Sequence, residues 1–392
     1  MTALRRYCLG VVVALTAVMA TPVLAAAVSL PPSPVSAPPA GSYSTKWVSG
    51  NTAGSSWLSS VSCTAAFACV AVGGAVPYPG ANDSLAGLVV AYLDGSTWIV
   101  EPTDTGDNGA VLTSVACAPT LTTMCMATGS DGASSDALTL GADGHWTRAA
   151  PLVRVAQSEG FGGTACPSRI RCFAVGASFN SASTSTPLIE SWNGKHWHVA
   201  ALPAGYRGGG LGSVSCASER LCVAVGSKPA PGGTYSPLAF EWTGGPTWRA
   251  ASLQDPSHFT ATFSGVSCAK NRCTAVGSAG ADAFTETWLG GSWSAPSLYS
   301  EPRTTLEPAG ISCLGGGSCL VVGNTVVAAG PPTFGATVRN GRWLPFNTSG
   351  FPLGIQALTC SQAVGACAVV GGGSPRANTR DVEPAQAGIV SY

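Results

Sequence analysis

Over most of the chain, short apolar stretches alternate residue by residue with polar or small side chains, and each stretch closes on Gly, Asn, Asp or Pro. That period of two predicts β-strands joined by tight turns. The clearest unit is GSVSCASERLCVAVG at Gly212–Gly226, followed by PLAFEWTGGPTW ending at Trp248. It divides into four strand-like pieces. The first is small and apolar (GLGSVSC), the second is CVAVG, and the third is a longer run such as PLIESW or PLAFEW. A Gly-containing turn (NGKHW, GGPTW, GGSW, NGRW) then leads to a fourth piece that opens with Trp. Gly and Asn suit such turns because a tight hairpin needs positive φ.

The unit recurs. Cysteine pairs stand at Cys63 and Cys69, Cys117 and Cys125, Cys166 and Cys172, Cys216 and Cys222, Cys268 and Cys273, Cys313 and Cys319, and Cys360 and Cys367. The first cysteines are 54, 49, 50, 52, 45 and 47 residues apart. A period near fifty is a propeller-blade length. Fourth-strand tryptophans number six (Trp98, Trp146, Trp197, Trp248, Trp293, Trp343), and a seventh, Trp47, precedes the first cysteine pair. The last unit stops at Tyr392, where its third strand should end. Complementary incomplete ends predict an all-β, seven-bladed β-propeller with four-stranded blades, its ring closed by the N-terminal strand completing the last blade. A linear solenoid gives no reason for such ends.

Within each pair the cysteines end the first strand and begin the second, so a hairpin sets them face to face and predicts one disulfide per blade. Zinc sites use closer thiol spacing and combine two pairs, whereas successive pairs here belong to different blades; no metal or cofactor is expected. The string SVSC, a second cysteine, AVG, then WNG and W resembles exported bacterial β-propellers of actinobacterial type. The resemblance spans nearly the whole mature chain. It implies a seven-bladed propeller and an extracellular location, and it carries no activity with it.

Residues 1–25 read as a cleaved export signal: Arg5 and Arg6, an apolar run from Leu9 to Ala20, then small residues at Ala25–Ala27. The run is short of the roughly 20 residues that span a bilayer, so no stable membrane span is expected. Residues 26–42 form a Pro-rich linker (LPPSPVSAPPA from Leu30 to Ala40), and the propeller occupies 43–392. Composition agrees with many turns and few helices: 50 Gly and 28 Pro, with only 10% charged residues. Nineteen basic and nineteen acidic residues cancel without a basic run, which argues against nucleic acid as a partner. The expected product is a secreted or cell-wall-associated monomer.

Candidate chemistry is sparse. One face of the disc, carrying the turns inside the cysteine pairs and before the tryptophans, is trimmed. The opposite face receives longer connections, such as Gly73–Gly87, Gly176–Thr186, Gly226–Ser236 and Gly371–Gln386, and links such as Thr103–Ala110 and Pro203–Gly210. Long insertions on one face mark the binding surface of a repeat fold. The side chains to watch there are Tyr78, Tyr206, Arg207, Tyr235, Arg376, Arg380 and Asp381, since aromatic and Arg residues make binding anchors. Asp104, Asp107 and Asn108 form either a calcium-ligand cluster or an Asx-rich turn. Trp192, Trp242 and Trp288, at third-strand ends, form either a sugar-stacking belt or a cover over the outer turns. His145, His196, His198 and His258 fall near outer strands. Glu190, Glu241 and Glu286 each stand seven positions before a blade tryptophan, so they point outward around the ring rather than across one glycosidic bond. The sequence thus favours a non-catalytic module that binds a cell-wall glycan or an extracellular protein. A carbohydrate-active hydrolase or lyase on the long-loop face is the alternative, to be favoured if Arg376, Arg380, Asp381 and Glu383 converge on the channel with Arg207.

Overall fold

The computed structural model describes residues 44–47 and, between 54 and 391, the strands and most turns; residues 1–43, 48–53, 65–67, 78–86, 95–96, 102–110, 119–123, 131–134, 142–143, 150–151, 154, 157, 181–183, 255–259, 327–331, 349–350, 352–353, 362–364, 373–384 and 392 lie outside it. The signal and linker segments therefore fall outside the described residues, and no described helix is long and apolar enough to cross a membrane.

The chain is an all-β propeller of four-stranded antiparallel blades. Blades 1 to 6 are built from consecutive strands and begin with Gly54–Cys63, Val111–Cys117, Ser158–Ser168, Gly210–Ser218, Ala261–Ala269 and Thr305–Leu314. In blade 5 a further strand, Ser297–Tyr299, also pairs with the third strand, Asp282–Leu289. A composite sheet runs Ser44–Trp47, Ala385–Ser391, Ala366–Gly372, Ile355–Ser361, with Ser44 opposite Ile389 and Trp47 opposite Gln386.

All seven expected disulfides are present, each within one sheet. Cys63 is bonded to Cys69, Cys117 to Cys125, Cys166 to Cys172 and Cys216 to Cys222. Cys268 is bonded to Cys273, Cys313 to Cys319 and Cys360 to Cys367. The two members of a pair are not equivalent. Cys69, Cys125, Cys172, Cys222, Cys273, Cys319 and Cys367, which open the second strands, are buried, whereas their partners are half-buried except for the buried Cys166. Blade 4 shows why: Cys222 lies in mid-sheet, facing Cys216 on one side and Trp242 on the other.

Every first strand carries a register shift before its cysteine, which extrudes Ser59, Thr113, Gly162, Gly212, Ser264, Ala309 or Gln356. A β-bulge bends a strand and re-aims one residue. These seven residues line a central cavity of about 220 Å³, whose lining includes no charged side chain. The bulge also explains the glycine of the AVG motif. The extruded turn of backbone lies over the second strand, so a Cβ at Gly73, Gly129, Gly176, Gly226 or Gly277 would sit 1.8–2.0 Å from a first-strand carbonyl oxygen. Only glycine fits there.

First-strand serines tie blade 1 to 2, 2 to 3, 4 to 5, 5 to 6 and 6 to the composite sheet. The N–H groups of Cys117, Cys268, Cys313 and Cys360 donate to Ser62, Ser215, Ser267 and Ser312 of the preceding blade at 2.9–3.0 Å. Val115, Thr164 and Val266 donate likewise to Ser60, Ser114 and Ser213. First strands of neighbouring blades do not pair, so these hydroxyls satisfy backbone donors that packing removes from water.

Apolar residues fill the wedges between blades. Trp248 packs with Leu238 and Phe240 of its own blade and with Phe173 and Ile189 of blade 3. Trp98, Trp197 and Trp248 are buried, and Trp146, Trp293 and Trp343 are half-buried. Leu58, Ala91 and Trp98 of blade 1 share one core with Ala368, Val370 and Ala387 of the composite sheet.

The long insertions of blades 3 and 4 are corrected by the structure. Gly176–Thr186 and Gly226–Ser236 are mostly paired strand, continuing to Phe179 opposite Ser185 and to Pro229 opposite Tyr235. These arms run beyond the buried sheet. There neither face need be apolar, so the alternation that marks a strand disappears.

Candidate functional site

Of the residues singled out on the long-loop face, Tyr78, Arg376, Arg380 and Asp381 lie outside the described residues, as do Asp104, Asp107, Asn108, His258 and Glu383. Tyr206, Arg207 and Tyr235 are described. Tyr206 and Arg207 occupy the link from blade 3 to blade 4, where Gly205, Gly208 and Gly209 all have positive φ. This sharply bent backbone is held to blade 3 by Ser185, whose carbonyl and hydroxyl accept from the N–H groups of Gly208 and Gly209, both at 2.8 Å.

The bend lays the half-buried Tyr206 ring edge-on against Phe240, with centroids 5.0 Å apart. The Lys228 Nζ stands over the same ring, 5.9 Å from its centroid. The two, with Ser236, Leu253 and Gln254, line a groove of about 330 Å³. Arg207 is exposed beside it, and Tyr235 is 45% exposed at the start of the third strand of blade 4. Lys228 is the residue that sequence reading missed. Its only signal is its place on the paired arm, opposite Ser236. An aromatic plane, an ammonium and neutral hydrogen-bonding groups in one groove suit a hydroxyl-rich ligand with partial or full negative charge.

Trp192, Trp242 and Trp288 do not form a stacking belt: they are 8%, 7% and 7% exposed. Each stands in register with the second cysteine of its blade, Cys172, Cys222 or Cys273, and packs into the wedge. His145, His196 and His198 are exposed near outer strands.

The three glutamates are not equivalent. Glu190 and Glu286 each lie two places before the third-strand tryptophan, opposite Ala174 and Ala275, whereas Glu241 lies one place before it, opposite Val223. The turn of blade 4 is one residue longer, so counting back from the fourth-strand tryptophan slips the register and turns the side chain over. Glu241 accepts from the Trp293 indole N–H at 2.8 Å. Glu190 and Glu286 are fully buried.

Glu190 lies on the side of its strand shared by Leu188 and Trp192, against blade 2, and accepts from the Val153 N–H at 2.9 Å. Burial pushes its carboxyl up from 4.5 to about 7; the Val153 bond opposes this and the charge of Glu159 adds to it. The native state therefore keeps this proton where the unfolded chain has lost it. Stability is full below the unfolded value and falls as pH rises through about 7, by roughly 3 kcal/mol in all. Thermal unfolding across that range is expected to show the decline in the native protein and to lose it in Glu190→Gln. An equal decline in both would place the titrating group elsewhere.

Several carboxylates of the long-loop face are locally engaged. Asp136 pairs with Arg148 at 3.6 Å, Glu159 accepts from the N–H groups of Val155 and Ala156, and Glu301 accepts from the Tyr299 hydroxyl at 2.7 Å.

No protein-family model and no curated protein matches the chain. Solved structures do match in fold. A GH74 xyloglucanase from Xanthomonas campestris aligns with a TM-score of 0.54 at 11% identity, over 88% of this chain and 55% of the enzyme, so the chain spans little more than half its length. The β-propeller domain of Cps50 (Swd1) from Myceliophteria thermophila gives 0.53 at 10% identity, over 89% and 99% of the two chains. A protein of unknown function from Dyadobacter fermentans gives 0.51 at 11%, over 88% and 97%. At these identities the likeness is one of fold, and it identifies the chain as a β-propeller.

Proposed function

We propose that the protein is an exported, extracellular or cell-wall-associated propeller that binds a glycan without cleaving it. In this reading the composite sheet is the seventh blade, and the strand Ser44–Trp47 closes the ring. Closure is supported by the pairing of that strand with Ala385–Ser391 and by the core that the sheet shares with blade 1. Export is supported by seven disulfides, which persist in oxidising compartments.

The groove at Tyr206 and Lys228 carries the binding role: a positioned aromatic ring and a cation meet there, while the two fully buried glutamates are sealed in blade wedges. The fold likeness to a xyloglucanase supports carbohydrate hydrolysis as the second reading. Retaining and inverting glycosidases need two carboxyl groups about 5 to 9.5 Å apart across the bond. Screening purified protein against an extracellular polysaccharide panel should give a retained glycan whose affinity falls about tenfold in Tyr206→Ala, the size of a lost aromatic platform. Retention unchanged by both Tyr206→Ala and Lys228→Gln would remove the groove from the account.

A further inference from the structure

The sequence shows no basic run, yet the fold gathers cations at one place. The short turns of blades 3 to 6 all end on the trimmed face, and they carry Arg169, Arg171, Lys195, Arg220, Lys270, Arg272, Arg339 and Arg342. Against these eight, Glu219 is the one acidic residue in the same turns. All are exposed except Arg272, which is half-buried. On the opposite end of blades 3 to 6 the described charges are mixed: Glu159, Asp282, Glu301 and Glu307 accompany Arg207, Lys228 and Arg303. A chain of zero net charge thus presents a strongly positive face.

The face is also organised. Arg171 lies over the Trp242 ring at 5.1 Å and donates to the Glu219 carbonyl at 3.3 Å, spanning blades 3 and 4. Arg272 donates to Asn340 Oδ1 at 3.3 Å, spanning blades 5 and 6. Between those two blades lies a pocket of about 250 Å³ whose lining includes Lys270, Asn271, Arg272, Gly316 and Gly317. Guanidinium and ammonium groups beside open backbone suit a carboxylate or phosphate.

We propose that this short-turn face docks on an acidic polysaccharide, a linear glycan bearing carboxylate or phosphate groups, with one such group held between Lys270 and Arg272. The cations extend over four successive blades, which matches an extended polyanion rather than a single small anion. An anionic bilayer fits less well. Membrane docking scales with inserted apolar area, and the large apolar side chains exposed in these turns are Ile170 and Leu289. This face is opposite the Tyr206 groove, and the inference stands apart from the function proposed for that groove.

The test uses polygalacturonate and dextran sulfate as immobilised probes, with neutral dextran as the control. The native protein is expected to bind both polyanions and not dextran, and to lose about a hundredfold in affinity between roughly 50 and 200 mM salt. Lys270→Gln with Arg342→Gln keeps the Arg272–Asn340 contact and should cost about tenfold, as should Arg169→Gln with Lys195→Gln. Arg303→Gln, on the opposite face and outside the Tyr206 groove, should change affinity by less than about twofold. Equal losses from all three variants, no binding to either polyanion, or binding confined to phosphatidylglycerol vesicles would each overturn the proposal. Loss of glycan binding at the Tyr206 groove alone leaves it standing.

Discussion

Gly226→Ala should destabilise the protein by about 3 kcal/mol or more, an exceptional cost for adding one methyl group. The new Cβ would lie 2.0 Å from the Gly210 carbonyl oxygen and 2.8 Å from the Leu211 Cα, both rigid backbone. The conflict has no cheap exit. Moving the first strand away removes the bulge at Gly212 and, with it, one wall of the central cavity. Gly245→Ala is the matched control, since its Cβ meets nothing within 4 Å, and it should stay within about 0.5 kcal/mol of the native protein. Denaturant unfolding with a linear extrapolation measures both. Equal stabilities would show that the bulge does not exact this glycine.

Deleting the chain through Trp47 is the second large change. It removes the strand that pairs with Ala385–Ser391 through four residue positions, Ser44 opposite Ile389 to Trp47 opposite Gln386. At about 1 kcal/mol per lost backbone bond, the loss is on the order of 4 kcal/mol. That corresponds to a fall in Tm of roughly 5 °C. The cut also uncovers a strand edge, so earlier proteolysis and some self-association should accompany it. A synthetic peptide spanning Ser44–Trp47 should restore part of the lost stability in trans. Unchanged Tm and protease resistance in the truncated protein would rule out closure by that strand.

The repeat was open to reading because each blade spends its most conspicuous residue types at the same structural points. Cysteines mark the first hairpin and tryptophans mark the wedge, and both are recognisable without any knowledge of packing. The reasons behind SVSC and AVG were not readable in the same way. The serine hydroxyls serve the neighbouring blade some fifty residues away, as Ser215 does for Cys268, and a local pattern contains no trace of its distant partner. The glycine of AVG depends on a bulge in the opposing strand, which a strict period of two cannot express. Counting failed at Glu241 for a related reason: one extra turn residue reversed the side chain.

The candidate site divides in the same manner. Tyr206, Arg207 and Tyr235 drew notice as aromatic and basic residues in long connections, but Lys228 belongs to a paired arm and pairs with Tyr206 only once the link bends back. The cationic face is further from view still. Its residues come singly or in twos from separate turns, between neutral stretches, and only the repeated hairpin geometry brings those turns to one side.

A propeller that binds its glycan without cleaving it leaves the mass of that glycan unchanged. The direct measurement incubates the mature protein with extracellular and cell-wall polysaccharide fractions and analyses the retained and released material together by mass spectrometry. Retained material of unchanged mass is expected. New shortened or unsaturated products, absent from a heat-inactivated control and lost on substitution of loop carboxylates, would contradict it and establish the enzyme instead.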